Sequence, residues 1–301
     1  MTKARKFKEE ILSLKAQGYG SRYIGDTLGL GKSTVNDFLK SINFKTTKQS
    51  AKVLFLDIET STTLAAVWKL WKENVGLEQI KEDWFIMSYA AKWLGEPNVI
   101  QEDCRTTMND KGLTYSLHSL LSEADLVVCH NVKFDIPKIK ARMVLNGLKP
   151  TKPFKTYCTL EAARRTFGFT SNKLAYLSAK LGTHVKSSHV KFQGFSLWAE
   201  CLKGNEEAWN EMAMYNIDDI PSLEDVYLAI RAWDDKHPNL VVYDELTEVR
   251  CPICTSNKLD NLGFAYTNTG MYNQFVCKSC GKHSRSRYTI NTTKKRKSLL
   301  V

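Results

Sequence analysis

The pattern of apolar and polar positions changes twice along the chain, and the changes divide it into three stretches. In the first, Phe7, Ile11 and Leu14 recur at helical spacing. A "GYG" break follows, then a short helical pattern from Ser21 to Leu28, a "GLG" turn and a second short pattern from Ser33. This outline predicts a helix-turn-helix module over residues 1–42. Ser33 is placed to cap the last helix, with Val35 and Phe38 packing inward. Lys32, Ser33, Thr34 and Asn36 then lie near the helix start, where such modules touch base edges and phosphates. A small three-helix protein-interaction module would share the same outline.

A lysine-rich polar linker, residues 43–50, leads into "VLFLDIET", a buried-strand pattern. "WFIMSYAAKWL", "NVIQEDC" and "LVVCH" are further strand candidates, interleaved with helical stretches over Leu113–Glu123, Ile136–Leu145 and Glu206–Trp233. Strands alternating with helices predict an α/β domain over residues 51–238, with a mixed sheet covered by helices. Trp68, Trp71 and Trp84 are expected in its core, with stacking on unpaired bases as the alternative.

From about Val249 the composition shifts, and Cys251, Cys254, Cys277 and Cys280 form two C-x-x-C pairs separated by 22 residues. Each pair bridges one tight turn, so both sulfurs can face one ion, and tetrahedral Zn²⁺ takes four such ligands. The spacer is rich in Gly, Asn and aromatics, which suits a β-hairpin. A structural four-cysteine zinc ribbon is therefore expected over residues 248–286, followed by a flexible basic tail, 287–301. Redox-active cysteines are the competing reading. Cys104, Cys129, Cys158 and Cys201 read as small buried hydrophobes.

Composition narrows the function classes. A chain of 301 residues, 43% hydrophobic and 25% charged, is expected to be globular rather than disordered. Its longest apolar runs are far too short to span a bilayer, so no membrane partner is expected and a cytosol is the expected compartment. The net charge of +11 gathers toward the two ends and fits a polyanionic partner. "GLGKST" looks like a phosphate-binding loop, but Asp26 stands where the first glycine belongs and no strand precedes it. His184 and His189 fall in an exposed-loop pattern.

The acidic residues supply candidate chemistry at three places. In "FLDIET" the strand period sends Asp57 and Glu59 to one face, and two anions at the end of an apolar strand need compensation. A divalent metal with a preference for oxygen, or caps and salt bridges, would supply it. In "HNVKFDIP", Asp135 reads by itself as a helix cap with Pro137 in the first turn. In "YNIDDIPSLEDVY", a helical wheel puts Asp219 beside Met212, Leu223 and Val226, close to Tyr215, and turns Asp218 to solvent. Pro221 is expected to kink this helix near Ile217 and to disfavour helical geometry at Ile220.

The order "FLDIET", "HNVKFD", "YNIDD" resembles the three exonuclease motifs of the DEDD superfamily, and the tyrosine four residues before the last aspartate resembles its DEDDy branch. That branch includes the proofreading domains of family A and family B DNA polymerases. The likeness covers roughly Val53 to Ala232. It implies a ribonuclease H-like fold, with Asp57, Glu59, Asp135 and Asp219 holding two Mg²⁺ or Mn²⁺ ions and Tyr215 orienting the attacking water. Asn131 and Phe134 become candidate substrate contacts, while Met214 stands where the other branch carries histidine. "KTYCTL" lacks an aspartate often found after the second motif. The implied activity is 3′–5′ hydrolysis releasing nucleoside 5′-monophosphates, with DNA favoured over RNA because of the flanking modules. The other reading is a DNA-binding protein that keeps the nuclease fold as an inactive scaffold. Small accessory modules around a lone nuclease would suit a virus or mobile element acting in a host cell.

Overall fold

The computed structural model describes residues 3–16, 19–41, 51–182, 191–243, 245 and 247–300. The expected linker and the loop carrying His184 and His189 lie outside the described residues. The chain divides into two compact units, Met1–Gln49 and Ser50–Val301.

The first unit holds α1 (Lys3–Lys6), α2 (Lys8–Ala16), α3 (Ser21–Leu28) and α4 (Lys32–Ser41). Their apolar faces meet in a small core of Ala4, Ile11, Ile24, Val35, Phe38 and Leu39. The turn between α3 and α4 depends on glycine at two positions. Gly29 adopts φ 63° at the helix end, and a Cβ on Gly25 would lie 2.6 Å from the Leu30 carbonyl. Ser33 does not cap α4. The Val35 amide bonds to the Gly31 carbonyl, so Gly31 occupies the cap position and Ser33 lies inside the first turn. Lys32 and Ser33 are exposed, and Thr34 and Asn36 are half-buried.

The second unit is built on β1 (Val53–Thr60), followed by the short strands β2 (Leu64–Ala65) and β3 (Ile80–Glu82) and then β4 (Ile86–Trp93) and β5 (Ile100–Asp103). After α5 (Lys111–Glu123) come β6 (Leu126–Cys129), α6 (Val132–Leu145), β7 (Lys155–Cys158), α7 (Thr159–Thr166), α8 (Leu174–Leu181), α9 (Ser196–Leu202) and α10 (Glu206–Ile230). The main sheet has the order β5-β4-β1-β6-β7. β1 runs antiparallel to β4 and parallel to β6, so the sheet is mixed.

The continuous apolar run of β1 reflects burial on both faces. Leu54, Leu56 and Ile58 join one core with Leu117 of α5 and Ile139 of α6. Val53 and Phe55 join the other with Leu177 of α8 and Leu223 and Val226 of α10. Alternation therefore sends Asp57 and Glu59 toward the α10 face.

Pro221 does not break α10, which is helical from Glu206 through Ile230. Contacts on both sides of the proline tie the helix to β4: Asn216 accepts from Ser88, and Glu224 pairs with Lys92. Packing on the sheet overrides the local preference at Ile220. Trp68 and Trp71 also depart from expectation, being 94% and 81% exposed. They lie on the excursion between β2 and β3, away from both cores, while Trp84 is half-buried with the Lys138 ammonium 3.6 Å over its ring. Cys104, Cys129 and Cys201 are buried, but Cys158 is half-buried and its sulfur accepts from the Glu161 amide at the start of α7.

The C-terminal part folds as β8 (Leu259–Thr267), β9 (Gly270–Cys277) and β10 (His283–Arg285), a three-stranded sheet ordered β10-β9-β8. The basic tail is not wholly irregular: α11 (Thr293–Lys297) is capped by Thr292, whose side chain accepts from the Lys295 amide. This part joins the main sheet in one compact unit. The Leu240 amide bonds to the Pro252 carbonyl, and buried Lys282 reaches Asp235 at 2.6 Å.

Candidate active site

Strand lengths explain how Asp135 reaches β1. β1 pairs with β6 only from Val53 to Phe55, and β6 ends at Cys129, where the chain turns into α6. β1 continues alone on that side, carrying Asp57 and Glu59 past the end of its parallel neighbour. The Ile58 amide in that free stretch is met by Asp135, whose Oδ1 accepts from it at 3.4 Å. Asp135 is thus not a helix cap: α6 begins at Val132, and Asn131, with φ 100°, occupies the cap position. The earlier start places Asp135 in the first turn and Pro137 inside the helix.

Asp135 is 3% exposed. Burial pushes its carboxyl up to about 7, against the lowering effect of the Ile58 and Asp135 backbone amides. The buried thiol of Cys129 feels both Asp135 and Asp57 and is raised, first by burial and then by these two charges.

On the opposite side, α10 supplies the remaining groups. Asn216 is fully buried; its Nδ2 donates to Asp57 Oδ2 at 3.0 Å, and its Oδ1 accepts from Ser88 Oγ at 3.2 Å. Ser88 stands opposite Glu59 in the β1–β4 ladder. Asp219 follows Asn216 by one helical turn and is 5% exposed. Asp218 is half-buried rather than fully turned to solvent. Tyr215, one turn before Asp219, is half-buried with its ring edge-on to Trp198 at 6.5 Å. Met214 is exposed.

Asn216 escaped the sequence reading. Its signal was a polar side chain on the same apolar stripe as Met212, Asp219 and Leu223. His130 is held by Thr159 Oγ1 at 2.8 Å and the Asn172 carbonyl at 2.9 Å, joining the end of β6 to the segment beyond α7. Asn131 and Phe134 are exposed beside Asp135.

Asp57, Glu59, Asp135 and Asp219 offer only carboxylate oxygens, the type that hard divalent ions prefer, and two of them, Asp135 and Asp219, are buried, where a neighbouring cation would offset the cost of ionisation. These residues fit Mg²⁺ or Mn²⁺. They are less tightly drawn together than the cysteines. Among the described residues, Cys251, Cys254, Cys277 and Cys280 form the one group of three or more metal-type ligands whose donor atoms all lie within 4.8 Å of one another.

Sulfur separations of 3.6 Å between Cys251 and Cys280 and 3.5 Å between Cys254 and Cys277 approach the edge of about 3.8 Å that a tetrahedron with Zn–S bonds of about 2.3 Å would have. The four-cysteine cluster fits a zinc ribbon.

Comparisons with known proteins bear on the central fold. No curated protein matches the chain. Among solved structures, the family B DNA polymerase from the hyperthermophilic archaeon Pyrobaculum calidifontis is similar at 13% identity and TM-score 0.44, over 62% of this chain and 26% of the polymerase. Trypanosoma brucei RNase D is similar at 17% identity and TM-score 0.39, over 73% of each chain. A family model of the RNase H superfamily matches residues 54–231, from β1 through the end of α10. That segment is more than half of the chain and contains Asp57, Glu59, Asp135, Asp218 and Asp219, and on this match the protein belongs to the RNase H superfamily.

Proposed function

We propose that the protein is a metal-dependent 3′–5′ exonuclease that releases nucleoside 5′-monophosphates, with DNA as its favoured substrate. One observation carries the reading. Acids from three elements lie near the free end of β1 or next to its partners, which supports the reading: Asp57 and Glu59 are on β1 itself, Asp135 bonds to the Ile58 amide, and Asp219 follows by one turn the Asn216 that bonds Asp57. In this reading residues 51–238 are the nuclease domain, flanked by a DNA-binding module (1–42), a zinc ribbon (248–286) and a basic tail (287–301).

Asp57, Glu59, Asp135 and Asp219 would hold the divalent ions, which when bound stabilise charge on the attacking and leaving oxygens. Asn216 keeps the Asp57 carboxylate in one orientation, and the Ile58 amide does the same for Asp135. Tyr215 orients the attacking water with its hydroxyl rather than taking its proton. Water oxygen bonds to phosphorus and gives up a proton to solvent while the bond from phosphorus to the penultimate O3′ breaks. The leaving O3′ takes up a proton from solvent, so the proton count balances and the shortened strand regains a 3′ hydroxyl. Asn131 and Phe134, exposed beside Asp135, are placed to contact the terminal nucleotide.

Single- and double-stranded DNA and RNA, each carrying a 3′ label, can be compared in Mg²⁺ and in Mn²⁺. Release of labelled mononucleotide that disappears in Asp57→Ala is the expected result. Undiminished release from Asp57→Ala would overturn the mechanism, whereas no release from the parent chain in either metal would leave the DNA-binding scaffold as the better reading.

A further inference from the structure

We propose that the β8–β9 hairpin of the four-cysteine ribbon, together with α11, is a separate binding site for single-stranded nucleic acid, in which bases stack on Phe264 and Tyr266 and phosphates meet the basic run of α11. The inference rests on surface features of the ribbon and extends the exonuclease reading by giving the substrate strand a second point of contact.

Charge is the first observation. Residues 251–301 contain nine lysines and arginines against the single acid Asp260, a net +8 out of the +11 carried by the whole chain. Asp260 is already paired with Lys278 at 2.8 Å. Lys282 is buried and paired with Asp235, but the other eight cations are exposed, and a surface this basic and so poor in acids complements a polyanion.

Exposed aromatics are the second. Phe264 and Tyr266 are 49% and 72% exposed and lie two residues apart on β8, so they share one face of the sheet. Their cross-strand partners, Asn273 and Met271, leave the rings open to solvent. Tyr288 is also exposed, with the Arg287 guanidinium 5.6 Å from its ring centre.

Proximity joins the two. The Ile290 amide bonds to the carbonyl of Met271, the partner of Tyr266. The chain is therefore pinned beside the aromatic end of the hairpin only three residues before α11 starts at Thr293, a reach of about 10 Å. The basic residues of α11 are all exposed.

The spacing of the rings selects the ligand. Residues two apart on a strand are separated by about 6.8 Å, twice the rise of about 3.4 Å between stacked bases in a duplex strand. Consecutive bases can reach both rings only when unstacked and splayed, which a single strand allows and a duplex does not.

The test uses the full-length chain carrying Asp57→Ala, in buffer without added Mg²⁺, and a fluorescent oligothymidylate of roughly 12 nucleotides, within the length one small binding module covers. Phe264→Ala with Tyr266→Ala should weaken binding of the single strand by at least about tenfold and leave binding of the matching duplex unchanged. Replacing both rings by tryptophan should restore the affinity, which separates stacking from misfolding. Changing Lys294, Lys295, Arg296 and Lys297 to glutamine should lower the slope of log affinity against log salt by about 3, since each phosphate contact to a single strand contributes about 0.7. Unchanged single-strand affinity in the alanine variant overturns the site and leaves the rings for a protein partner. Equal losses on single strand and duplex overturn the single-strand assignment. The exonuclease reading fails separately, through persistent hydrolysis by Asp57→Ala.

Discussion

Two adjacent aspartates, Asp218 and Asp219, differ because a helix turns by about 100° per residue. Asp219 falls on the stripe facing the sheet and is 5% exposed, whereas Asp218 stays at the half-buried flank. Asp219→Asn should abolish hydrolysis while Asp218→Asn keeps most of it, as measured by mononucleotide release under matched Mg²⁺. Asn216 acts through Asp57, holding one carboxylate oxygen at 3.0 Å. Removing such a supporting bond commonly costs about 10–100-fold in metal affinity or activity. Asn216→Ala should therefore raise the Mg²⁺ concentration needed for half-maximal rate, while an unchanged Mg²⁺ dependence would mean that Asp57 needs no such support.

At the scale of elements, the end of α10 and the segment that leads to the ribbon form a buried junction. His237 is 7% exposed and sits 2.9 Å from the Tyr227 hydroxyl, with its ring against Tyr157. Burial, outweighing the Pro238 carbonyl bond, lowers its pKa to about 4. The unfolded chain binds that proton near 6.5, so this contribution to stability is complete above pH 6.5 and drains away as pH falls toward 4. The loss is on the order of 3 kcal/mol at the acid end. His237→Gln should flatten the pH dependence of the denaturant midpoint between pH 6.5 and 4 relative to the parent; an equal slope in both proteins would refute this. Nearby, Asp234 accepts from Arg165 of α7 at 2.6 Å, and its carbonyl and the Asp235 side chain receive Lys282 from the ribbon.

Across the whole molecule, that Lys282 contact ties the ribbon to the unit that holds the RNase H-like sheet rather than leaving it a loosely tethered appendage. Lys282 follows the second C-x-x-C turn directly, and its carbonyl accepts from the Cys277 amide. The cysteine turn and the docking residue therefore share one piece of backbone. The purified chain should contain one zinc per molecule. Cys251→Ser should lower both the zinc content and the thermal midpoint of the whole unit, because the binding energy of a structural zinc contributes to folding. A variant that loses zinc but melts like the parent would show that docking does not depend on the metal.

Much of this protein was legible in the sequence because the signals are local. Strand alternation put Asp57 and Glu59 on one face, the helical period separated Asp219 from Asp218, and two C-x-x-C turns marked the four-cysteine cluster. These features depend only on the geometry of one strand, one helix or one turn. The tertiary structure decided what depends on partners distant in sequence. Asp135 reads as a cap until β6 stops short of β1 and leaves the Ile58 amide for it to satisfy. Pro221 reads as a helix breaker until α10 is held to β4 on both sides of it. Trp68 and Trp71 read as core by their chemistry, but burial is a property of what lies above a residue, and the excursion carrying them extends away from both cores. Asn216 acquires its role only where a strand and a helix 159 positions apart in the chain bring its amide to Asp57.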